Sequence, residues 1–164
     1  MATKTQSKPK YSDKPANVSP EDIVYVRNGF NGTLTYISTR TGETYVWDSF
    51  GDEVEMDIRE LRTAKGAQKG FFENNWFMFD YEFSWVIPYL GVTKYYDNSV
   101  SIEDLPKVLK KKPAEVKKIC ENMPRGQKLS FVYMVREKYR NGEIDSLKTV
   151  AALEEGLGIT LSER

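Results

Sequence analysis

Short runs of apolar and β-branched residues follow one another in the first half of the chain. Four such runs cover residues 23–26, 34–37, 44–47 and 53–58. Asn-Gly and Thr-Gly pairs separate the first three, and pairs of this kind favour tight turns. The pattern predicts four β-strands, of which the second and third form a hairpin across residues 39–42. Residues 59–64, which follow the fourth run, look helical.

Helical periodicity replaces this pattern after Ser101. Ser101 and Asp104 resemble a capping box in which Asp stands in place of the usual Glu, and they mark the start of a first helix. Pro113 stands where the first turn of a second helix belongs, and Asp145 or Ser146 can cap the last one. The spacing predicts four short helices joined by tight turns, as in a small helical bundle.

The two patterns together predict an α+β protein. We expect a small antiparallel β-sheet or an SH3-like partial barrel, followed by a C-terminal bundle of short helices and preceded by an extended N-terminal arm. The expected division is an extended basic arm at residues 1–20, a β-rich unit with an aromatic seam at residues 21–98, and a helical unit at residues 99–164. A chain of 164 residues can bury a core of that size.

The predicted arm has a basic composition and almost no apolar side chains. It carries Lys4, Lys8, Lys10 and Lys14 against a single acid, Asp13. Such a segment is either a disordered tail in the free protein or an arm that orders on a neighbouring molecule. On the second interpretation, the four lysines belong to a partner-binding surface.

Aromatic residues are concentrated between the predicted sheet and the predicted helices. They are Phe71, Phe72, Trp76, Phe77, Phe79, Tyr81, Phe83, Trp85, Tyr89, Tyr95 and Tyr96. One interpretation is a seam where the sheet packs on the helices. The other is that part of the cluster anchors a partner, because Trp and Tyr are enriched at binding hot spots. Trp76 and Trp85 are our candidates for that anchor.

Residue types that support common enzyme mechanisms are scarce. The chain has no His and one Cys, which leaves out Ser-His and Cys-His nucleophile pairs and any cysteine metal cluster. Cys120 falls on an apolar helical face, so we expect a buried structural thiol in a reducing compartment. The acids between Asp48 and Asp57 lack the spacing of a calcium loop and are typical of the wet face of a strand. We therefore predict no catalytic residues, no metal and no cofactor, and keep an enzyme with an unfamiliar carboxylate or Tyr/Lys site as a minor alternative.

Charge and hydropathy limit the partners further. The 24 basic and 24 acidic residues cancel, so any attraction to nucleic acid must be local. The sequence contains no run near the roughly 20 apolar residues that span a bilayer, and no apolar stretch follows the N-terminal lysines. We expect neither a membrane protein nor one exported by a signal peptide.

One local charge feature points to a second class of function. Six lysines fall within residues 107–118, namely Lys107, Lys110, Lys111, Lys112, Lys117 and Lys118. They are either a solvated helix face or a surface that engages phosphates, although no aromatic or Arg lies between them to read bases. The alternative function is therefore a nucleic-acid-binding accessory protein that uses Lys110, Lys111, Lys112, Lys117 and Lys118.

Several short motifs resemble small proteins encoded in the structural-gene region of tailed bacteriophages of Gram-positive hosts. The motifs are VRNGFNG at residues 26–32, Tyr36, TRTGE at 39–43, VWDSFGD at 46–52, FENNW at 72–76 and the ending at 145–155. The resemblance covers roughly residues 24–157. It implies a minor virion component, made in the bacterial host cytoplasm. Because an extended charged arm on a compact body is a common way to tie neighbouring subunits together, we expect binding to capsid or tail subunits, in many copies, through the arm and exposed aromatics. It implies no catalytic residues.

Overall fold

A computed structural model describes residues 9–161 of the chain. Its strands are β1 Ile23–Asn28, β2 Leu34–Ile37, β3 Thr44–Trp47, β4 Glu53–Asp57 and β5 Phe77–Phe79. Its α-helices are α1 Ile58–Ala67, α2 Gly70–Glu73, α3 Val86–Leu90, α4 Pro113–Asn122, α5 Arg125–Arg140 and α6 Leu147–Leu157. Short 3-10 helices cover Tyr81–Phe83, Thr93–Tyr95 and Pro106–Lys110. The predicted α+β class is confirmed.

The strands form two small antiparallel sheets. One has the order β4-β1-β5, and the other is the β2–β3 hairpin, in which Tyr36 pairs with Tyr45. Along β1, Val24 and Val26 point into the core while Ile23 and Tyr25 face solvent, as the alternating pattern predicts. The four predicted strands and the hairpin are confirmed. β5 was not predicted, because it has three residues and no turn signal sets it apart within the aromatic-rich segment.

Aromatic side chains fill the space between the two sheets and α2. The ring of Phe77 lies 4.9–5.6 Å, centroid to centroid, from the rings of Phe71, Phe72, Tyr36 and Trp47. The indole N–H of Trp47 donates a 2.8 Å hydrogen bond to the carbonyl oxygen of Val26, which satisfies its one polar group inside the core. Much of the aromatic-rich segment therefore joins elements of the β-rich region to one another.

A carboxylate is buried beside this aromatic cluster. Glu60 of α1 is fully buried and accepts hydrogen bonds from the Tyr36 hydroxyl at 2.6 Å, the Ser38 hydroxyl at 2.8 Å and the Arg40 guanidinium at 3.3 Å. A buried charge is tolerated when it is paired in this way. Burial, together with the bond to Glu60, raises the pKa of Tyr36 well above its ordinary value. The network ties α1 to the β2–β3 hairpin.

The helices after residue 100 enclose a second cluster of buried apolar residues. Its members come from residues 105–161, whereas the first cluster uses residues 24–96. Helices α4 and α6 pack closely where Gly156 meets Cys120, because a Cβ atom at Gly156 would lie 2.7 Å from the Cys120 Cβ.

The first predicted helix of this region is a 3-10 helix, Pro106–Lys110. The Asp104 N–H donates to the Ser101 hydroxyl at 3.1 Å, as the capping pattern predicts. Pro106 has no N–H with which to continue an α-helix, so the turn tightens there. The three later helices are confirmed, with Ser146 as the cap of α6. The tight turn between α4 and α5 is at Met123 and Pro124, and α5 begins at Arg125.

Gly126 seats α5 against the β-rich region. A Cβ atom at this position would lie 2.4 Å from the Asn74 Cα and 2.5 Å from the Glu73 carbonyl oxygen, and real atoms do not approach so closely. We expect Gly126→Ala to lower the free energy of unfolding by roughly 3 kcal/mol, because backbone on both sides must shift. Urea unfolding followed by tryptophan fluorescence measures this change.

The matched control is Gly66→Ala in α1, where an added Cβ would have no neighbour within 4 Å. This substitution should stabilise the protein by up to about 1 kcal/mol through helix propensity. Equal effects of the two substitutions would contradict the proposed seat.

Candidate partner-binding surfaces

The N-terminal segment lies against the rest of the same chain. The Lys10 ammonium pairs with the Asp97 carboxylate at 2.9 Å. The Ser12 N–H donates to the Ser84 hydroxyl at 2.8 Å, and the Ser12 hydroxyl donates to the Glu82 carbonyl oxygen at 3.1 Å. The hydrogen bond to Asp97 raises the pKa of Lys10 above its ordinary value. We call residues 10–12 the latch.

Tyr11, at the centre of the latch, is partly buried. Its ring packs against the first core cluster and, together with Lys10, lines one side of a space of about 290 Å³ whose other walls include Met78, Phe79 and Ile87. The Tyr11 hydroxyl oxygen is buried and forms no hydrogen bond of normal geometry with a described residue, although its interaction with the Lys10 ammonium contributes to the raised pKa of Lys10. An unpaired buried polar group costs roughly 1–3 kcal/mol. The latch is therefore held less tightly than its apolar contacts alone would allow.

An exposed stretch connects the latch to β1. All five residues of 13–17 are exposed, and within residues 9–161 they take part in no hydrogen bond. The Lys14 ammonium lies 5.9 Å from the centre of the Tyr89 ring, a distant cation–π contact. We call residues 13–17 the hinge.

The lysines predicted to form a partner-binding arm are thus in different situations. Lys4 and Lys8 lie outside the described residues. Lys10 is paired with Asp97, and Lys14 lies over Tyr89, so both contact their own chain. No structural observation tests whether the four lysines also bind a partner, and that function stays a prediction.

The two candidate tryptophans differ in exposure. Trp85 is 6% exposed and belongs to the first core cluster, so the expectation that it is an exposed anchor is wrong. It is drawn inward because α3, which follows it directly, is buried at Val86 and Ile87. Trp76 is only partly buried and meets the rings of Phe30 and Phe71 edge-on, at 6.1 and 5.5 Å. Of the two, only Trp76 has surface to offer a partner.

The outer face of α5 exposes two large apolar side chains, both of which belong to the apolar spacing that predicts this helix. Leu129 is 52% exposed and Tyr133 is 61% exposed, and they lie one helical turn apart. The apolar spacing predicts a helix here, but burial falls on Phe131 and Val135. Periodicity alone does not say which of two apolar stripes faces the core.

The position of α5 is fixed at both of its ends. Gly126 is seated on Asn74, two residues before Trp76, and the Asn31 side-chain amide donates to the Glu137 carboxylate at 3.4 Å. The exposed pair Leu129 and Tyr133 therefore sits on a held helix and not on a mobile loop.

All six lysines within residues 107–118 are exposed. The Lys117 ammonium pairs with the Glu155 carboxylate at 3.2 Å and with Glu121 at 3.9 Å. The other five form no ion pair with a described residue. The solvated face and the phosphate-binding surface both fit this arrangement.

A groove of about 790 Å³ separates the 3-10 helix Tyr81–Phe83 from the turn at residues 101–104. It is lined by Asp80, Glu82, Glu103 and Asp104, and by Arg27, which pairs with Asp80 at 2.9 Å. Among the described residues, no three acidic or cysteine side chains are placed to hold a metal ion.

Cys120 is buried, as predicted. Its burial in the second core cluster raises the pKa of the thiol to about 11, so the thiol is protonated at neutral pH. A protonated and inaccessible thiol is a weak nucleophile. In residues 9–161, moreover, no helix combines the length and apolar character needed to cross a lipid bilayer.

Removing the buried Tyr11 hydroxyl should not reduce the free energy of unfolding. Tyr11→Phe should leave the free energy of unfolding unchanged or raise it by up to about 1 kcal/mol, because it removes a buried group that forms no hydrogen bond of normal geometry with a described residue. Tyr96→Phe is the matched control, since the buried Tyr96 hydroxyl donates to the Phe77 carbonyl oxygen at 2.6 Å. The control should lose about 1–3 kcal/mol. Urea denaturation of both variants tests this, and a clear loss for Tyr11→Phe would contradict it.

No family model, curated protein or solved structure matches the chain. The resemblance to phage structural-gene products therefore remains a prediction from the sequence. What the protein does has to be inferred from that resemblance and from the surfaces described above.

Proposed function

We propose that this chain is a minor structural component of a tailed-phage virion, which binds neighbouring capsid or tail subunits through its N-terminal segment and exposed aromatic residues. The observation that carries the proposal is the exposed pair Leu129 and Tyr133 on α5. The assignment to a virion rests on the sequence resemblance. The surface supplies a means of binding.

Leu129 and Tyr133 have the properties of an interface core. Burying a leucine side chain contributes roughly 1.5–3 kcal/mol, and tyrosine is enriched at hot spots. Trp76, which is close to the seat of α5 along the chain, adds a third large side chain with free surface. Since α5 is held at both ends, a partner would lose little entropy by ordering it.

The N-terminal segment contributes the second contact in this proposal. Residues 9–20 already lie on the body, with Tyr11 and Val18 packed against the first core cluster. Removing all of residues 1–20 would therefore also remove part of the core. Deleting residues 1–8 instead removes Lys4 and Lys8 and leaves residues 9–20 in place.

The test begins with purified particles of the phage that encodes the chain. Wild-type protein should co-sediment with capsid and tail proteins at a fixed stoichiometry, measured by mass spectrometry across the density-gradient band. The double substitution Leu129→Asp and Tyr133→Asp should reduce incorporation at least about tenfold, since 1.4 kcal/mol of lost binding is already a factor of ten. Both side chains are exposed, so the fold should persist by circular dichroism.

Leu147→Asp is the control, because Leu147 is 85% exposed but lies at the start of α6. It should be incorporated as wild type. Normal incorporation of the α5 double variant would remove the proposed binding face. Absence of the wild-type protein from particles would remove the virion role itself.

A nucleic-acid-binding accessory role is the second candidate, and its support is that five of the six lysines within residues 107–118 form no ion pair with a described residue. Binding of duplex DNA, followed by fluorescence anisotropy, should then weaken steeply with salt, with a log–log slope of about −0.9 per phosphate contacted. Replacing Lys110, Lys111 and Lys112 by Ala should abolish it. Undetectable or salt-independent binding would rule out the nucleic-acid-binding role.

A further inference from the structure

We propose that the latch is exchangeable, so that residues 10–12 of one copy bind the groove of a second copy of this chain. By groove we mean here the surface under the latch, which Glu82, Ser84 and Asp97 form together with the part of the first core cluster on which Tyr11 packs. This inference rests on the proposed assembly role and names one partner within it. It is carried by the contacts of the latch and by the exposure of the hinge.

The contacts of the latch can be made equally well between two copies. The Lys10–Asp97 pair is 60% and 61% exposed, and Ser12 is held by hydrogen bonds to Ser84 and Glu82. Each copy carries the same latch and the same groove, so exchange replaces every lost contact by an identical one. The closed and exchanged forms then differ mainly in the hinge and in the entropy of association.

The hinge offers little resistance to exchange. Its five residues are exposed and form no hydrogen bond with any described residue, so straightening it breaks none. Fully extended, five residues reach at most about 18 Å, which carries the latch away from its own body. Pro15 within the hinge and Pro9 just before the latch favour extended backbone on this path.

The chain is anchored on the other side of the hinge. The Asp22 N–H donates to the Ser19 carbonyl oxygen at 3.0 Å, and the Arg59 N–H donates to the Pro20 carbonyl oxygen at 3.0 Å. The motion is therefore confined to residues before Ser19, while β1 keeps its place in the sheet.

The groove fits this occupant better than an unrelated peptide. It packs Tyr11 against the first core cluster, pairs Asp97 with the preceding lysine, and holds the following serine through Ser84 and Glu82. The chain's own Lys10-Tyr11-Ser12 matches that order of side chains. Two other Lys-Tyr pairs are not presented as extended segments, since Lys94-Tyr95 lies in a 3-10 helix and Lys138-Tyr139 lies within α5.

Two cysteines placed at Ser12 and Ser84 report which groove the latch occupies. The two side-chain oxygens lie 3.2 Å apart, so sulfur atoms at these positions would be within reach of a disulfide. In the double variant Ser12→Cys/Ser84→Cys, a closed latch gives an intrachain bond and an exchanged latch an interchain bond. Cys120 stays in place, since its buried thiol reacts slowly.

The decisive experiment mixes two single variants, Ser12→Cys and Ser84→Cys, carrying tags of different size, and oxidises the mixture. A disulfide that joins position 12 of one tagged chain to position 84 of the other forms only by exchange. A non-reducing gel and peptide mass spectrometry identify it. We expect that product, and we expect the ratio of exchanged to closed protein in the double variant to rise about tenfold with tenfold protein concentration.

Two results would overturn the proposal. In the first, the double variant gives only intrachain disulfide at every concentration, and the mixture gives no disulfide between the two positions. In the second, neither variant set forms a bond between these positions, which would mean that the latch does not occupy the groove. The control for random cross-linking between latches is Ser12→Cys protein that is oxidised without the Ser84→Cys variant.

The outcome is independent of the particle experiment. Protein that enters particles but never cross-links in trans keeps the virion role and loses latch exchange. Protein that cross-links in trans but is absent from particles keeps latch exchange and loses the virion role.

Discussion

The ring of Phe77 contacts four other aromatic rings, which come from both strands of the hairpin and from α2. β5 has only three residues, too few to be stable without this packing, and its pairing with β1 completes the three-stranded sheet. The pairing of β5 with β1 also positions Trp76, which directly precedes β5. The Gly29 N–H donates to the Trp76 carbonyl oxygen at 2.8 Å, so the exposed edge of Trp76 is held where the core ends.

The helices depend on this core through a small number of close contacts. Gly126 rests on the residue pair that closes α2. The Gln127 amide then bonds twice to the backbone of Val100, accepting from its N–H at 2.8 Å and donating to its carbonyl oxygen at 2.7 Å. Gln127 is buried, and both halves of its amide are satisfied. The exposed stripe of α5 thereby acquires a defined orientation relative to the sheets, which a loose bundle would not provide.

Local chemistry was enough to predict much of the fold. Runs of β-branched and aromatic residues between turn signals identified four strands, the Thr-Gly turn identified the hairpin, and Asp145 or Ser146 marked the start of α6, because each of these signals acts within a few residues. β5 was missed because it has three residues and no turn signal separates it from the aromatic-rich segment around it. At Pro106 the apolar spacing predicted a helix, but the absent N–H decided its type.

The binding surfaces were harder to predict, because exposure is decided by tertiary packing. Trp85 and Trp76 are chemically alike, yet only the first lies in a buried turn before α3. Leu129 and Phe131 lie two residues apart on α5 and so on nearly opposite faces of the helix, and tertiary packing buries only Phe131 in the second core. For the latch, the sequence showed only a basic composition. Its contacts could not be predicted, because they are made with residues far along the chain.

That separation has a consequence for biosynthesis. Ser12 and Ser84 are 72 residues apart, and at roughly 5–20 residues per second a ribosome needs on the order of 4–14 s to make the intervening chain. During that interval every nascent chain displays Tyr11 with no groove of its own. Neighbouring ribosomes on one message hold such chains at high local concentration, and those further along have already completed the groove. Translation itself thus places an unoccupied N-terminus beside a finished fold.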